Sequence, residues 1–357
     1  MSTIKVAVLG GSGYTGGELL RLLAAHPGME VVAVTSDKSV GASVASVFPY
    51  LASVLPPLTF ERLDIGAIAK RTDAVFLALP HTTSLAPVAE CIRAGKRVVD
   101  LSADYRLHRA ADYELWYKTA HPHPDLLREA VYGLPELHRD AIRTARLVAS
   151  PGCYPTAAIL QLAPLVAHDL IQPGSIVIDA KSGVSGAGRA PALAYHFPEA
   201  HESLEPYKIG QHRHIPEIEQ ELGQLLARQQ GAGTHAECRV AFTPHLVPMN
   251  RGILSTAYCR LRASADLHQL RGLYHDFYKS ERFIRFYEGE TSPNPRYVRG
   301  ANYCDLGVFM DERAGWVVTV AALDNLIKGA AGQAIQAMNL MCEFPEDMGL
   351  AAGGVFP

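Results

Sequence analysis

The sequence predicts two domains of different class: an α/β domain on a doubly wound parallel sheet, then an α+β domain on a second, mixed sheet. Three observations carry this. A chain of 357 residues is longer than a single hydrophobic core usually serves. In the first half, short apolar strand patterns alternate with helix patterns, as parallel strands joined by crossover helices do. After Cys153 the strands lengthen and follow one another through loops with few helices between, which suits a mixed or antiparallel sheet covered on one face.

The elements follow in order. Val6–Leu9 reads as a buried parallel strand, short, apolar and ended by glycines. Glu18–His26 reads as a helix stopped by Pro27-Gly28. Further strands are expected at Val31–Val34, Ala74–Leu77, Val98–Leu101 and Leu147–Ala149, with a helix at Ser84–Ala94. Beyond Cys153 the pattern gives a helix near Thr156–Ala167, a strand at Ile176–Ile178, a glycine-rich loop and a helix near Ile215–Arg228. Longer strands are expected at Arg239–Leu246, Gly252–Leu261, Asp305–Phe309 and Trp316–Leu323, with a helix near Ala265–Tyr278. The last helix, about Asn325–Met341, is rich in Ala and Gly and suited to close packing. The tail after Phe344 is expected to be loosely held.

Composition narrows the function classes. Hydrophobic content of 48% with 19% charged residues is that of a globular protein rather than a disordered one. A net charge of −3 and the absence of any long Lys/Arg run speak against nucleic acid or a membrane surface as partner. No apolar stretch reaches the ~18 residues of a membrane span. Met1-Ser2-Thr3-Ile4-Lys5 runs straight into a strand pattern, so no signal peptide is expected. The six cysteines lie far apart with no C-x-x-C pair, which argues against zinc or a disulfide framework and suits a reducing cytoplasm.

Five segments carry chemistry. Gly11-Ser12-Gly13-Tyr14-Thr15-Gly16 is G-x-G-x-x-G directly after a strand and opening a helix. Its first glycine allows a tight turn, its second lets the backbone approach a pyrophosphate, and its third lets helix and strand pack closely. At the end of the second strand, Ser36 and Lys38 suit the 2′-phosphate of NADP, while Asp37 would suit the ribose of NAD. Cys153 follows a strand and a Pro-Gly turn and precedes a helix, whose N-terminal N–H groups favour an anion, so it is a candidate nucleophile. The other five cysteines read as structural. Ser182-Gly183-Val184-Ser185-Gly186-Ala187-Gly188-Arg189 is a small-residue loop ending in a cation, suited to an anionic group or a nicotinamide ribose. His212-Arg213-His214, just ahead of a helix with Pro216 in its first turn, offers a general acid/base. A metal at this pair would need a third ligand, and none is evident.

Together these segments resemble the N-acetyl-γ-glutamyl-phosphate reductase family, from the first strand to the last helix. The resemblance rests on G-S-G-Y-T-G at Gly11–Gly16, P-G-C-Y-P-T at Pro151–Thr156, S-G-V-S-G-A-G-R at Ser182–Arg189 and H-R-H-x-P-E-I at His212–Ile218. It continues through F-T-P-H-L at Phe242–Leu246, R-G-I at Arg251–Ile253 and D-N-L-x-K-G-A-A-x-Q-A-x-Q at Asp324–Gln336. The resemblance implies a Rossmann-type NADP domain over 1–153, completed by 325–357, and a catalytic and oligomerisation α+β domain over 154–324. It implies Cys153 as nucleophile, one histidine of His212 and His214 (His212 preferred) as acid/base, and Asn325 near the nicotinamide. Arg106, Arg189 and Arg251 are the candidates for substrate carboxylate or phosphate. A protonated histidine of the H-R-H motif would further favour the Cys153 thiolate.

The implied reaction is NADPH-dependent reduction of an acyl phosphate through a Cys153 thioester, releasing inorganic phosphate and N-acetyl-glutamate 5-semialdehyde, by a homodimer or homotetramer. The alternatives are aspartate-semialdehyde dehydrogenase, a carrier-protein-linked acyl-phosphate reductase and, from another class, a dinucleotide-binding regulator.

Overall fold

Each short apolar run of the N-terminal half becomes a strand of one parallel sheet. In the computed structural model, which describes residues 3–230 and 237–356, these are β1 (Ile4–Leu9), β2 (Met29–Val34), β3 (Ala74–Leu77), β4 (Arg97–Asp100), β5 (Val131–Tyr132) and β6 (Leu147–Ala149). Met1 and Ser2, expected to lead into the first strand, and Pro357, the end of the expected tail, lie outside the described residues. The order is β2-β1-β3-β4-β6-β5, with every neighbouring pair parallel. Strand order reverses beside β1, so the C-terminal ends of β1 and β3 flank the crevice where such sheets take ligands. Val6–Leu9, Ala74–Leu77 and Leu147–Ala149 are buried, which is why they read as unbroken apolar runs.

The chain divides into two compact units. One runs to Gly152 and resumes at Ala330–Ala352, and the other is Cys153–Gly329 with the residues from Gly353 onward.

In the first unit the helix after β1 spans Tyr14–Ala24, four residues ahead of its expected start. Gly16 and Gly17 sit inside it and weaken the helical pattern there. The C-terminal helix, Gly332–Met341, is buried along its whole length and packs on β4 and on the helix Pro135–Thr144. Two of its amides tie it to the segments around it. Gln336 donates to Glu136 at 3.1 Å and Glu346 at 2.8 Å. Asn339 donates to the carbonyls of Glu346 and Met348 and meets His26 Nε2 at 2.9 Å. The expectation of a loose tail is therefore corrected up to Leu350, which is buried: these bonds hold the segment down.

The second unit holds β7 (Ile176–Gly183), β8 (Glu205–Pro206), β9 (Val240–Val247), β10 (Ile253–Cys259), β11 (Ile284–Tyr287), β12 (Cys304–Asp311) and β13 (Trp316–Leu323). Their order is β11-β12-β13-β10-β7-β9-β8. The pairs β7–β9 and β11–β12 are parallel and the rest antiparallel, so the sheet is mixed. The helix Cys153–Ala167 packs on β10 and β13 and on the helix Ile215–Gln230. Tyr154 to Val166 are all buried, which explains a helix apolar on every side. Pro164 lies inside it and cannot donate to the Leu160 carbonyl one turn back. The Tyr278 hydroxyl donates to that carbonyl instead, and the Tyr274 hydroxyl to that of Gln161.

Candidate active site

In the first unit, the left-handed residue of the phosphate turn is Gly10 (φ +81°), one position ahead of the motif's first glycine. A Cβ there would meet the Ala78 carbonyl oxygen at 2.7 Å. Gly11 is glycine for a different reason, since its Cβ would stand 2.4 Å from Val34 Cγ1. Gly16 is required by the Gly11 carbonyl oxygen, 2.5 Å from where its Cβ would be. Around Gly13, by contrast, nothing lies within 4 Å of a Cβ position. Gly13 is also the N-cap of the Tyr14–Ala24 helix and brings no side chain to its first-turn N–H groups. Open space over uncapped N–H groups fits a dinucleotide pyrophosphate. Tyr14 is exposed and Thr15 half-buried at the same turn.

The end of β2 is tied to this loop. Gly10 N–H donates to Thr35 Oγ1 at 3.1 Å, and Ser12 Oγ and Ser36 Oγ lie 2.8 Å apart. Asp37 and Lys38 are exposed just beyond. At the end of β4 two buried carboxylates organise the crevice wall. Asp100 accepts from the N–H and hydroxyl of Ser102, and Asp104 from the N–H groups of Thr82 and Ser84 and from the Tyr113 hydroxyl. Burial pushes Asp100 up to about 6 and raises Asp104. Arg106, itself buried, donates to the Leu101 carbonyl at 2.9 Å, and its charge opposes both rises.

In the second unit Cys153 is itself the first residue of the helix, three residues earlier than the pattern predicts, because Tyr154-Pro155 reads as a continuation of the turn. Its thiol therefore lies in the first turn, where N–H groups lack helical partners. Cys153 is half-buried, whereas Cys91, Cys238, Cys259 and Cys304 are buried. Burial pushes Cys91, Cys238 and Cys259 up to about 12 and Cys342 to about 11, so these four stay protonated at neutral pH.

An aromatic cluster adjoins Cys153 through its neighbour Tyr154. The Tyr154 hydroxyl donates to the His245 carbonyl at 3.0 Å and receives from Tyr207 at 3.4 Å. Its ring stands edge-on to His212, His214 and Phe242, with centroids 5.7, 6.0 and 5.4 Å away. His212 Nδ1 accepts the backbone N–H of His214 at 3.2 Å. The neutral ring therefore carries its proton on Nε2, an assignment made from this bond. Burial, then the charges of Lys208 and Arg213, bring His212 down to about 4. The His212 ring is thus uncharged at neutral pH, and imidazolium support for the thiolate does not come from it. Tyr207 gave no sequence signal, and the P-G-C-Y-P-T motif that contains Tyr154 did not show this role, because the neighbours of both rings come from other parts of the chain.

Ser182 and Gly183 prove to be the buried end of β7 rather than loop, followed by a 3-10 turn over Val184–Ala187. This turn is knitted to Met249–Gly252. Gly183, Val184 and Ser185 donate N–H bonds to the carbonyls of Gly252, Met249 and Asn250. A Cβ on Gly183 would lie 2.8 Å from the Arg251 nitrogen, and one on Gly186 would lie 2.9 Å from Ser182 Oγ. Asn325 fastens the two loops, accepting from Gly252 N–H at 2.7 Å and donating to Ser185 Oγ at 3.0 Å. Arg251 is half-buried, its Nε 3.5 Å from Asp324 Oδ2. Arg189 lies outside this knot, exposed beyond Gly188. Among the described residues no group of three or more His, Cys, Asp or Glu side chains is placed to hold a metal ion, and no helix is long and apolar enough to cross a membrane.

The model of the semialdehyde dehydrogenase NAD-binding domain matches residues 5–145, and that of the semialdehyde dehydrogenase dimerisation domain matches 153–325. The chain is 51% identical over 355 residues to the N-acetyl-γ-glutamyl-phosphate reductase of Geotalea daltonii, covering 99% of this chain and 100% of the relative. It is 47% identical over 354 residues to that of Pelotomaculum thermopropionicum, covering 99% of each. Among solved structures, aspartate semialdehyde dehydrogenase II from Vibrio cholerae aligns with a TM-score of 0.71 at 17% identity. Aspartate semialdehyde dehydrogenase with NADP from Candida albicans aligns with 0.71 at 18%. Each alignment covers 96% of this chain and 99% of the other, and at such identities the likeness establishes the fold alone. The identity that spans the whole chain is to the glutamyl enzymes, and with both domain models matched the chain belongs to the N-acetyl-γ-glutamyl-phosphate reductase family of semialdehyde dehydrogenases.

Proposed function

We propose that this chain reduces N-acetyl-γ-glutamyl phosphate to N-acetyl-glutamate 5-semialdehyde and inorganic phosphate, in arginine biosynthesis, through a thioester on Cys153. The observation that carries the reading is a half-buried cysteine in the first turn of a buried helix, in a chain half identical to reductases of that name. The Cys153 sulfur attacks the γ-carbonyl carbon, the C–O bond to phosphate breaks, and the acyl group is held as a thioester. NADPH, held by Gly11–Gly16 with Ser36 and Lys38, supplies hydride when bound. His212, neutral with its proton on Nε2, donates a hydrogen bond to the substrate oxygen as negative charge gathers there and keeps that proton. When the C–S bond breaks the charge passes to the Cys153 sulfur and the aldehyde leaves. His214 serves through its backbone, which fixes the His212 ring.

Asn325, Ser182, Gly183 and Gly186 shape the nicotinamide end of the site in this reading. Arg251 and Arg189 meet the anionic groups of the substrate. Arg106, buried beside two aspartates, holds the Asp100–Asp104 wall in position. Lys38, exposed beside the bonded Ser12–Ser36 pair, supports a 2′-phosphate and hence NADP, as does the Candida albicans enzyme with NADP. The reading includes a cytoplasmic homo-oligomer. The dimerisation-domain match and the open sheet face bearing exposed Val177 and Tyr258 support association.

The deciding assay follows NADPH formation from N-acetyl-glutamate 5-semialdehyde plus phosphate, with β-aspartyl semialdehyde in parallel. Wild type is expected to prefer the first substrate, and Cys153→Ser to lose the activity while binding NADP normally. Activity retained in Cys153→Ser rejects the thioester route, and preference for the aspartyl substrate rejects the substrate assignment.

A further inference from the structure

Within the second unit, Gly329 lies against the start of the nucleophile's helix, far from it in sequence. A Cβ on Gly329 would stand 2.8 Å from Cys153 Cβ and 3.2 Å from Cys153 Cα, with Leu323 Cδ1 also at 3.2 Å. Carbon atoms pack at about 3.5–4.0 Å, so even one methyl group does not fit. Two of the three obstructing atoms belong to the base of Cys153 rather than to the end of a flexible side chain. Relief would come from moving the nucleophile or the turn facing it.

That turn is tied down. Gly329 belongs to the π-helical turn Ile327–Ala331, a form found often at functional sites. The Asp324 carbonyl accepts the N–H groups of Gly329 at 2.9 Å and Ile327 at 3.2 Å. The buried Asp324 carboxylate accepts the N–H groups of Leu326 at 2.9 Å and Gly300 at 2.7 Å. Nor does the backbone itself ask for glycine. Gly329 has no positive φ, unlike Gly188, Gly252 or Gly300, and alanine is the better residue in a helical turn. Contact with Cys153 is the remaining reason for its identity.

We propose that Gly329 is a positioning residue for the nucleophile: its missing side chain sets where the first turn of the Cys153–Ala167 helix seats, and so where the sulfur stands. The inference rests on the reading of Cys153 as nucleophile, through which Gly329 acts.

The test uses Gly329→Ala in the full chain. A misplacement of about 1 Å costs roughly 100-fold in rate, so kcat is expected to fall by one to two orders of magnitude. Iodoacetamide labelling of Cys153 should change in rate or pH midpoint, while NADP affinity stays as in wild type. A purely structural glycine would lower the melting temperature and leave kcat and labelling of the folded protein unchanged, and that result overturns the proposal. Should Gly329→Ala fold poorly, a double-mutant cycle decides. Cys153→Gly removes the clashing Cβ, so the melting-temperature penalty of Gly329→Ala should shrink in that background, and an equal penalty in both backgrounds refutes the contact. Activity surviving in Cys153→Ser would instead reject the nucleophile reading itself, whatever Gly329 does.

Discussion

Replacing His212 by Asn removes an imidazole that titrates differently in the folded and unfolded chain. Burial, assisted by Lys208 and Arg213, brings it from 6.5 to about 4. Between those values the unfolded chain binds the proton and the folded chain does not, so stability is lost as pH falls through that window. Above it both states are neutral and the contribution is constant. The gap, 6.5 − 4 = 2.5, corresponds at about 1.36 kcal/mol per unit to a ceiling of roughly 3 kcal/mol. About 2 kcal/mol of this is lost between pH 7 and pH 5. Urea unfolding of the second unit, followed in the whole chain at these two pH values, measures it. His212→Asn is expected to lose about 2 kcal/mol less than wild type over that interval. His26 and His121, lowered by burial, and Asp100 and Asp104, raised by it, remain in both proteins and cancel in the difference. Equal pH dependence in the two proteins refutes the reasoning, as does a His212 ring-proton NMR midpoint near the unperturbed value. Turnover of the variant should fall by about two to four orders of magnitude. The pH midpoint of Cys153 alkylation should stay put, because an uncharged ring lends the thiolate no charge.

Other outcomes follow from the same geometry. Lys38→Ala should raise the Michaelis constant for NADP and leave that for NAD unchanged, and equal effects would remove Lys38 from the 2′-phosphate site. Gly13→Ala should fold normally yet bind dinucleotide weakly, since its methyl enters open space, whereas Gly16→Ala should lose stability against the Gly11 carbonyl. Calorimetry with NADP on both variants separates the two, and reversal of the pattern would contradict the turn geometry. Asn325→Ala leaves the Gly252 N–H without its acceptor and should cost about 1–3 kcal/mol, whereas Asn325→Asp keeps the acceptor and should cost less. Denaturation curves compare them, and equal costs would show that the Gly252 bond does not matter.

The doubly wound sheet was legible because parallel strands buried on both faces must be apolar throughout, as Val6–Leu9 and Ala74–Leu77 are. The glycine motif was legible too, although its left-handed residue is Gly10. Helix starts were obscured by Gly16 and Gly17 after β1, whose place is set by close contacts rather than propensity, and by Pro155, which after Pro151-Gly152 reads as more of the turn. The edge strands β5 and β8, one in each sheet, were invisible, since strands of two residues carry no period. The docked tail was missed because Gln336 and Asn339 resemble surface residues until their buried partners are known. The charge state of His212 was out of reach for the same reason: Tyr154, Tyr207 and Phe242, which exclude water from it, come from separate segments.

The discontinuous first unit has a consequence for the order in which the protein forms on the ribosome. Its β4 face and the Pro135–Thr144 helix are covered by Gly332–Met341, so the parallel sheet, though synthesised first, waits for nearly the whole chain before its core is closed. The second unit is almost entirely one uninterrupted stretch and meets most of its own partners as it emerges. Pairing across a long gap is slow, and exposed apolar surface on an incomplete unit invites aggregation. The half translated earliest is thus the last to mature, and its unfinished strands are where a chaperone has the longest opportunity to act.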